Sequence, residues 1–169
     1  ITGGILSLIA ALFLFQFSGL SETFLGATSA GIVEETAKLL TAVVLVRGQP
    51  GNRWILNGMF VGAAVGVGFA GFETAGYIFE ALVEDYSSMH GTLIIRALFA
   101  PFGHVVWTAA TAGALWRVQQ DRPFSVGMLF DVSFLRVFGF VVLLHMFWNS
   151  GLLWRMYGYS WVYGWMVSL

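Results

Sequence analysis

Long apolar stretches recur along the whole chain and are separated by short polar segments. Each stretch has about 20 residues, the length that an α-helix needs to cross the hydrocarbon core of a bilayer. Five spans are predicted in this way, over residues 4–20, 24–46, 54–83, 93–116 and 132–154. The aromatic tail over residues 157–169 is either a truncated sixth span or an interfacial segment. The predicted fold class is therefore all-α, a polytopic transmembrane helix bundle of five to six spans.

The composition agrees with a protein that is surrounded by lipid. Of the 169 residues, 58% are hydrophobic and 10% are charged, whereas soluble domains carry about 25% charged residues. The net charge of −1 offers no basic face to nucleic acid, so the expected surroundings are a lipid bilayer and no nucleic acid. The absence of cysteine excludes disulfides and thiolate metal sites. No soluble segment separates the spans, so we predict one membrane-embedded domain over residues 1–169.

The arginines predict how the chain is oriented in the membrane. Two arginines follow the second predicted span and two follow the fourth, whereas the connection after the third span holds Glu84 and Asp85 with no basic residue. Because cytoplasmic loops carry the excess of basic residues, we expect the arginine loops inside and this connection, with His90, outside. A bacterial or archaeal cytoplasmic membrane is the expected location.

The third span repeats small residues every four positions, at Gly58, Gly62, Gly66 and Ala70. This spacing puts them on one helix face, where a neighbouring helix can approach closely. The pattern predicts helix packing and carries no chemistry of its own.

Ionisable and polar side chains interrupt four of the predicted spans: Glu34, Glu35 and Lys38 in the second, Glu73 in the third, His104 in the fourth, and His145 with Asn149 in the fifth. A charged side chain at the centre of a bilayer costs roughly 2.5–3.5 kcal/mol on insertion scales. At 1.5 Å per residue, the carboxylates and histidines all lie roughly 14–17 Å below the outer surface. Groups from four helices at one depth predict a single buried site.

Local spacing adds to this prediction. Glu34 and Glu35 lie four and three residues before Lys38, so the lysine can reach back to either carboxylate. Pro101 and Gly103 precede His104 and are expected to loosen the fourth helix near the site. Arg96, near the outer edge of the same span, is expected to pair with Glu80 or Glu84, and no catalytic role is assigned to it.

At these positions the chain resembles the PrsW family of intramembrane proteases, relatives of the type II CAAX prenyl endopeptidases. Four motifs occur in order on four consecutive spans over about residues 24–154: E-E-x-x-K at Glu34, Glu35 and Lys38, F-x-x-x-E at Phe69 and Glu73, a single histidine at His104, and H-x-x-x-N at His145 and Asn149. CAAX endopeptidases carry F-x-x-x-H and usually arginine after the glutamate pair, so Glu73 and Lys38 favour the PrsW side. The resemblance implies cleavage of a membrane-anchored protein substrate, in some bacteria an anti-sigma factor.

Peptide hydrolysis needs an activated water, a polarised carbonyl and a protonated leaving amine. We hypothesise that Glu73, His104 and His145 hold a metal ion, and Zn²⁺ is the ion that we expect. Glu34 or Glu35 is then the general base, with Lys38 stabilising the other glutamate. Asn149 orients His145 or hydrogen-bonds the oxyanion. Three glutamates, one lysine and a dication also bring the formal charge of the site to zero.

Other interpretations stay open at this point. A metal-free hydrolase would use one glutamate with a histidine to activate water, and His145 with Asn149 as an oxyanion hole. A proton- or ion-coupled transporter would also place carboxylates and histidines at mid-membrane, although no inverted repeat is visible. A non-catalytic scaffold or immunity protein and a CAAX-type prenyl peptidase are the remaining alternatives.

Overall fold

A computed structural model describes residues 1–19, 28–46, 53–84, 86–150 and 152. Within these residues the chain forms helices and no strand, in the order α1 Thr2–Ser18, α2 Ser29–Val46, α3 Ile55–Glu84, α4 Tyr86–Gln119 and α5 Val132–Asn149, with a short 3₁₀ helix at Val126–Phe130 before α5. The predicted all-α helix bundle is thus confirmed.

Three of the helices are long and apolar enough to cross a membrane, over Ile55–Val83, Met89–Gln119 and Val132–Asn149. α1 is a shorter apolar helix of 17 residues. α2 has 18 residues and carries the two glutamates and the lysine of the second predicted span. All five predicted helices are therefore present in the described part of the chain, and the tail over residues 157–169 lies outside it.

The glycine-lined face of α3, which was predicted to pack closely on a neighbouring helix, packs against α4. A Cβ atom added at Gly62 would lie 2.4 Å from the carbonyl oxygen of Thr108, and one added at Gly66 would lie 2.4 Å from that of His104. Only glycine permits such a close approach of two helix backbones. The contact holds the His104 turn of α4 directly against α3.

α1 packs across α3 and α2 on another side of the bundle. A Cβ atom added at Gly4 would lie 2.4 Å from the backbone of Gly68, so this crossing also depends on glycine. Next to it, Ala11 of α1 packs with Val33 and Ala37 of α2 and with Phe69 of α3. α1 therefore encloses the part of α2 that carries the ionisable residues.

The main apolar core lies towards the inner end of the bundle in the predicted orientation. It joins α2, α4, the 3₁₀ helix and α5, and its buried residues are Leu39, Val43, Ala112, Leu115, Trp116, Met128 and Phe134. α5 begins at an N-cap, Asp131, whose carboxylate accepts a hydrogen bond from the backbone N–H of Ser133 at 2.8 Å. Hydrogen bonds from the Ser133 hydroxyl and this N–H lower the pKa of the Asp131 carboxyl. The cap fixes where α5 starts and so sets the position of its later residues.

α4 begins earlier than the sequence indicated. It starts at Tyr86 instead of residue 93, so His90 lies in the helix, and its placement in a loop was wrong. α4 also runs through Pro101 without ending. Because proline has no N–H to donate, this turn still lacks one backbone hydrogen bond.

Candidate active site

The structure brings the ionisable groups of the four predicted spans together at one place in the bundle. Glu34, Glu35 and Lys38 come from α2, Glu73 from α3, His104 from α4 and His145 from α5. Lys38 and Glu35 have side chains with 0% exposure, and that of His145 is 2% exposed. Residues far apart in the sequence therefore form one buried polar cluster, as a shared depth in the membrane predicted.

Lys38 is bonded mainly to the second of the two glutamates. Its Nζ lies 2.6 Å from Oε1 of Glu35 and 3.9 Å from Oε2 of Glu34. The ammonium also lies over the ring of Phe69, 4.6 Å from its centroid, which adds a cation–π contact. Lys38 is thus the buried counterion of Glu35, and Glu34 lies at the edge of its reach.

His145 connects the two glutamates of α2. Its Nδ1 lies 2.8 Å from Oε1 of Glu35, and its Nε2 lies 3.8 Å from Oε2 of Glu34. A carboxylate only accepts, so in the neutral ring Nδ1 carries the proton and donates to Glu35. Nε2 then presents a lone pair towards the carboxylate oxygen of Glu34.

His104 has the same kind of arrangement with different partners. Its Nε2 lies 2.9 Å from Oε2 of Glu73 and donates to that carboxylate. Its Nδ1 lies 2.8 Å from Nζ of Lys38 and 4.0 Å from Oε2 of Glu34. Each histidine therefore gives one ring nitrogen to a carboxylate and turns the other towards Glu34.

Glu34, His104 and His145 are the group of described residues that fits a metal ion. Their ligand atoms all lie within 4.8 Å of one another, and all three residues are buried. Oε2 of Glu34 is buried without a hydrogen-bond partner among the described residues. An unpaired carboxylate oxygen that faces two imidazole nitrogens offers electron pairs to which a cation can bind. Two histidines and one glutamate are also a donor set of catalytic zinc sites.

Glu73, which the sequence assigned to the metal, lies on the far side of His104. Its Oε2 contacts Nε2 of His104 at 2.9 Å and Nη2 of Arg96 at 2.5 Å. Its side chain is 15% exposed, more than those of the other carboxylates of the cluster. In this structure Glu73 is a hydrogen-bond partner of His104, and its role as a metal ligand stays a prediction.

Arg96 pairs with Glu73 and not with Glu80, and the side chain of Glu84, the other expected partner, lies outside the described part of the chain. Its guanidinium binds Glu73, donates from Nε to Oγ1 of Thr74 at 3.3 Å, and lies over the ring of Tyr77, 3.9 Å from the centroid. A long arginine side chain can extend inward from the edge of its span, and the buried Glu73 carboxylate offers the stronger partner. Arg96 adds a second cation, so the predicted charge balance with a dication no longer closes at zero.

Aromatic rings form the wall of the site on α4 and α5. Trp107 packs on His145 with ring centroids 4.8 Å apart and on His104 at 6.1 Å. The two histidine rings are 5.4 Å apart and nearly perpendicular. These contacts limit the rotation of both imidazoles, so their nitrogens keep the directions described above.

A cavity of about 200 Å³ adjoins the cluster. It is lined by residues of α3, α4 and α5: Glu73, Tyr77, Arg96, Phe99, Ala100, Phe102, Gly103, His104, Trp107, His145, Trp148 and Asn149. Asn149 lies one turn after His145 and lines the cavity, as the sequence-based role for it requires. The lining is apolar apart from Asn149 and the ionisable groups, as is usual for a binding pocket with a few directed polar contacts.

Among protein families, residues 1–169 match the family described as PrsW family intramembrane metalloprotease. The chain belongs to the PrsW family. No curated protein and no solved structure matches it. Membership in the PrsW family makes the protein an intramembrane metalloprotease, integral to the membrane, that acts on a membrane-embedded protein. The resemblance stated from the four motifs is thereby confirmed, and the family favours the protease over a transporter or a scaffold.

Two residues of this PrsW chain were not assigned to the site from its sequence. Trp107 carried no signal, because an aromatic residue in a membrane helix is more often packing. Arg96 did carry one, since an arginine inside a span needs a partner, and Glu73 on the preceding span was a carboxylate that its long side chain could reach. Measuring the depth in the membrane at the end of the Arg96 side chain, and not at its Cα atom, would have suggested the pair of Arg96 and Glu73.

Proposed function

We propose that this protein hydrolyses a peptide bond in a membrane-anchored protein, an anti-sigma factor being one example, in a bacterial or archaeal cytoplasmic membrane. The residues of the site would hold a metal ion that could activate the attacking water, and Zn²⁺ is the ion that we expect. The observation that carries the proposal is the convergence of Glu34, His104 and His145 from three helices within 4.8 Å. When bound, the metal would lower the pKa of water and polarise the scissile carbonyl.

We assign the metal to Glu34, His104 and His145. Metal-binding histidines almost always donate their second ring N–H to a carboxylate or another acceptor. Both histidines have such a partner, because His145 bonds Glu35 at 2.8 Å and His104 bonds Glu73 at 2.9 Å. This pattern favours Glu34 as the third ligand and Glu73 as the carboxylate that orients His104.

The contact of Lys38 with His104 has to change before His104 can bind a metal. Its ammonium lies 2.8 Å from Nδ1 of His104, the nitrogen that faces Glu34. One lone pair cannot serve both cations, so Lys38 has to give up this contact and keep Glu35 when a metal binds. The stronger Glu35 contact, at 2.6 Å, allows this exchange without leaving the lysine unpaired.

We assign the general base to Glu35. Its Oε1 accepts from Lys38 and His145, and its Oε2 is buried without a hydrogen-bond partner among the described residues. That oxygen can take the proton of the attacking water, while the two donors on Oε1 hold the carboxylate in place. We assign Asn149, which lines the cavity, to hydrogen-bonding the developing oxyanion or to orienting His145.

The experiment that tests this function uses purified protein in liposomes with a single-span model substrate. We expect cleavage, about one Zn²⁺ per chain, loss of cleavage with a zinc chelator and recovery when Zn²⁺ is returned. Glu34→Gln should lose both metal and cleavage. Glu35→Gln should keep the metal and lose cleavage by about 10²–10⁴-fold, the range that general base catalysis contributes.

The alternatives give different results in the same liposomes. Cleavage that continues without metal and resists the chelator would point to the metal-free hydrolase. Ion flux that depends on Glu35, without cleavage, would point to a transporter. Glu73→Gln separates the two ligand assignments. If Glu73 is a metal ligand, the variant should lose the metal outright, whereas if Glu73 only orients His104, the variant should bind the metal about 10–100-fold more weakly.

A further inference from the structure

Arg96 is held in one orientation by three contacts with α3. Its Nη2 binds Oε2 of Glu73 at 2.5 Å, its Nε donates to Thr74 at 3.3 Å, and its Cζ atom lies 3.9 Å from the ring centroid of Tyr77. The Arg96 side chain is 6% exposed. A planar guanidinium can make two directed hydrogen bonds and stack on a ring at once, which the ammonium of a lysine cannot do. The site is therefore built for arginine.

The contact with Glu73 continues to the catalytic cluster. The same oxygen of Glu73 that binds Arg96 also accepts from Nε2 of His104 at 2.9 Å. A carboxylate that holds the Nε2 proton fixes the tautomer and orientation of the ring, which leaves Nδ1 directed towards Glu34. An unbroken series of short contacts thus runs from Arg96 through Glu73 to His104.

We propose that Arg96 is a positioning residue of the protease, which holds Glu73 so that His104 keeps the orientation needed to bind the metal. The inference rests on the function proposed above and adds a residue outside the four motifs. Loss of Arg96 frees the Glu73 carboxylate to rotate, so His104 loses a fixed partner. The expected cost is about 10–100-fold in metal affinity, as for other partners behind a metal ligand.

The test measures Co²⁺ affinity of the detergent-purified full chain by competition with a coloured chelator, together with the visible spectrum of bound Co²⁺. We expect Arg96→Met to weaken Co²⁺ binding by about 10–100-fold and to alter the spectrum, and Arg96→Lys to recover part of the loss. Arg136→Met is the matched control, because Arg136 is exposed and lies about 13–14 Å along α5 from His145. It should bind Co²⁺ as the wild type does.

A double variant shows whether Arg96 acts through Glu73. If it does, Arg96→Met combined with Glu73→Gln should bind Co²⁺ no more weakly than Glu73→Gln alone. If Arg96→Met alone does not fold, comparing the double variant with Glu73→Gln still tests the inference, because Glu73→Gln removes the carboxylate that would otherwise be left unpaired. Additive losses, or wild-type affinity and spectrum in Arg96→Met, would overturn the inference. Wild-type protein that binds no Co²⁺ would instead overturn the proposed function.

Discussion

Two adjacent glutamates on α2 have different surroundings, and this difference decides their proposed roles. Glu35 is bonded by Lys38 at 2.6 Å and by His145 at 2.8 Å. Oε2 of Glu34 has no contact as short, and Nε2 of His145 lies 3.8 Å from it. Neighbouring residues of a helix point about 100° apart, since there are 3.6 residues per turn. Glu35 therefore points to the lysine and Glu34 points between the two histidines.

The ion pair of Lys38 and Glu35 gives a prediction about stability. Lys38→Met leaves the Glu35 carboxylate buried with His145 as its remaining partner, so we expect the free energy of unfolding to fall by about 3–5 kcal/mol. Lys38→Met combined with Glu35→Gln removes both charges and should recover most of that loss. Denaturant unfolding in mixed micelles measures both. Equal stability of Lys38→Met and the wild type would contradict the buried pair.

The sequence indicated which ionisable residues of four helices come together, with the exception of Arg96, but not how they are paired. Helical spacing alone put Lys38 within reach of both glutamates. Lys38 pairs with Glu35, and Glu73 contacts His104, because of how the helices rotate and tilt against one another. The depth of a residue in the membrane does not contain that information. The prediction of one domain over residues 1–169 also stays a prediction.

At the scale of helices, the spacing of α3 and α4 decides where the catalytic groups lie. The carbonyl groups of His104 and Thr108 pack directly on Gly66 and Gly62. Thr108 also donates its hydroxyl to the His104 carbonyl at 2.7 Å, so this carbonyl has a polar partner inside the bundle. The four-residue repeat of small residues predicted a close approach on this face of α3, but it did not identify α4 as the partner helix.

Gly62→Ala tests the close approach. The added Cβ would lie 2.4 Å from the Thr108 carbonyl, so the helices have to separate, at an expected cost of about 1–3 kcal/mol in the free energy of unfolding. Gly71→Ala is the matched control on the same helix, because its Cβ would have no atom within 4 Å. Alanine is the better helix former, so this control should be neutral or more stable by up to about 1 kcal/mol. Equal effects of the two variants would mean that the close approach is not needed.

At the scale of the whole molecule, the catalytic groups lie between the apolar inner core and the outer ends of the helices. The inner core is closed by Trp116 and Phe134, which are each 2% exposed. The cavity lies on the other side of the histidines and is bordered by Phe99 and Phe102, which are 41% and 75% exposed. In the predicted orientation, the site is therefore reached from the outer half of the bundle.

The absence of cysteine allows a direct test of that orientation. Ser125→Cys, before α5, should be labelled only from the cytoplasmic side by a thiol reagent that does not cross membranes, and His90→Cys only from the outside. Both positions are exposed, and the wild type is the unlabelled control. Intact spheroplasts and inverted vesicles provide the two sides. Labelling with the opposite preference would reverse the orientation that we derive from the arginines.

Pro101 divides α4 into two parts that are both tied to α3. Proline cannot donate to the carbonyl of Ala97, so the helix bends more easily there than elsewhere. Arg96 lies before this weak turn and His104 after it, and both bind the same oxygen of Glu73. The Glu73 carboxylate therefore bridges the weak turn, and any bending of the outer half of α4 there has to lengthen or break its contact with Arg96 or with His104.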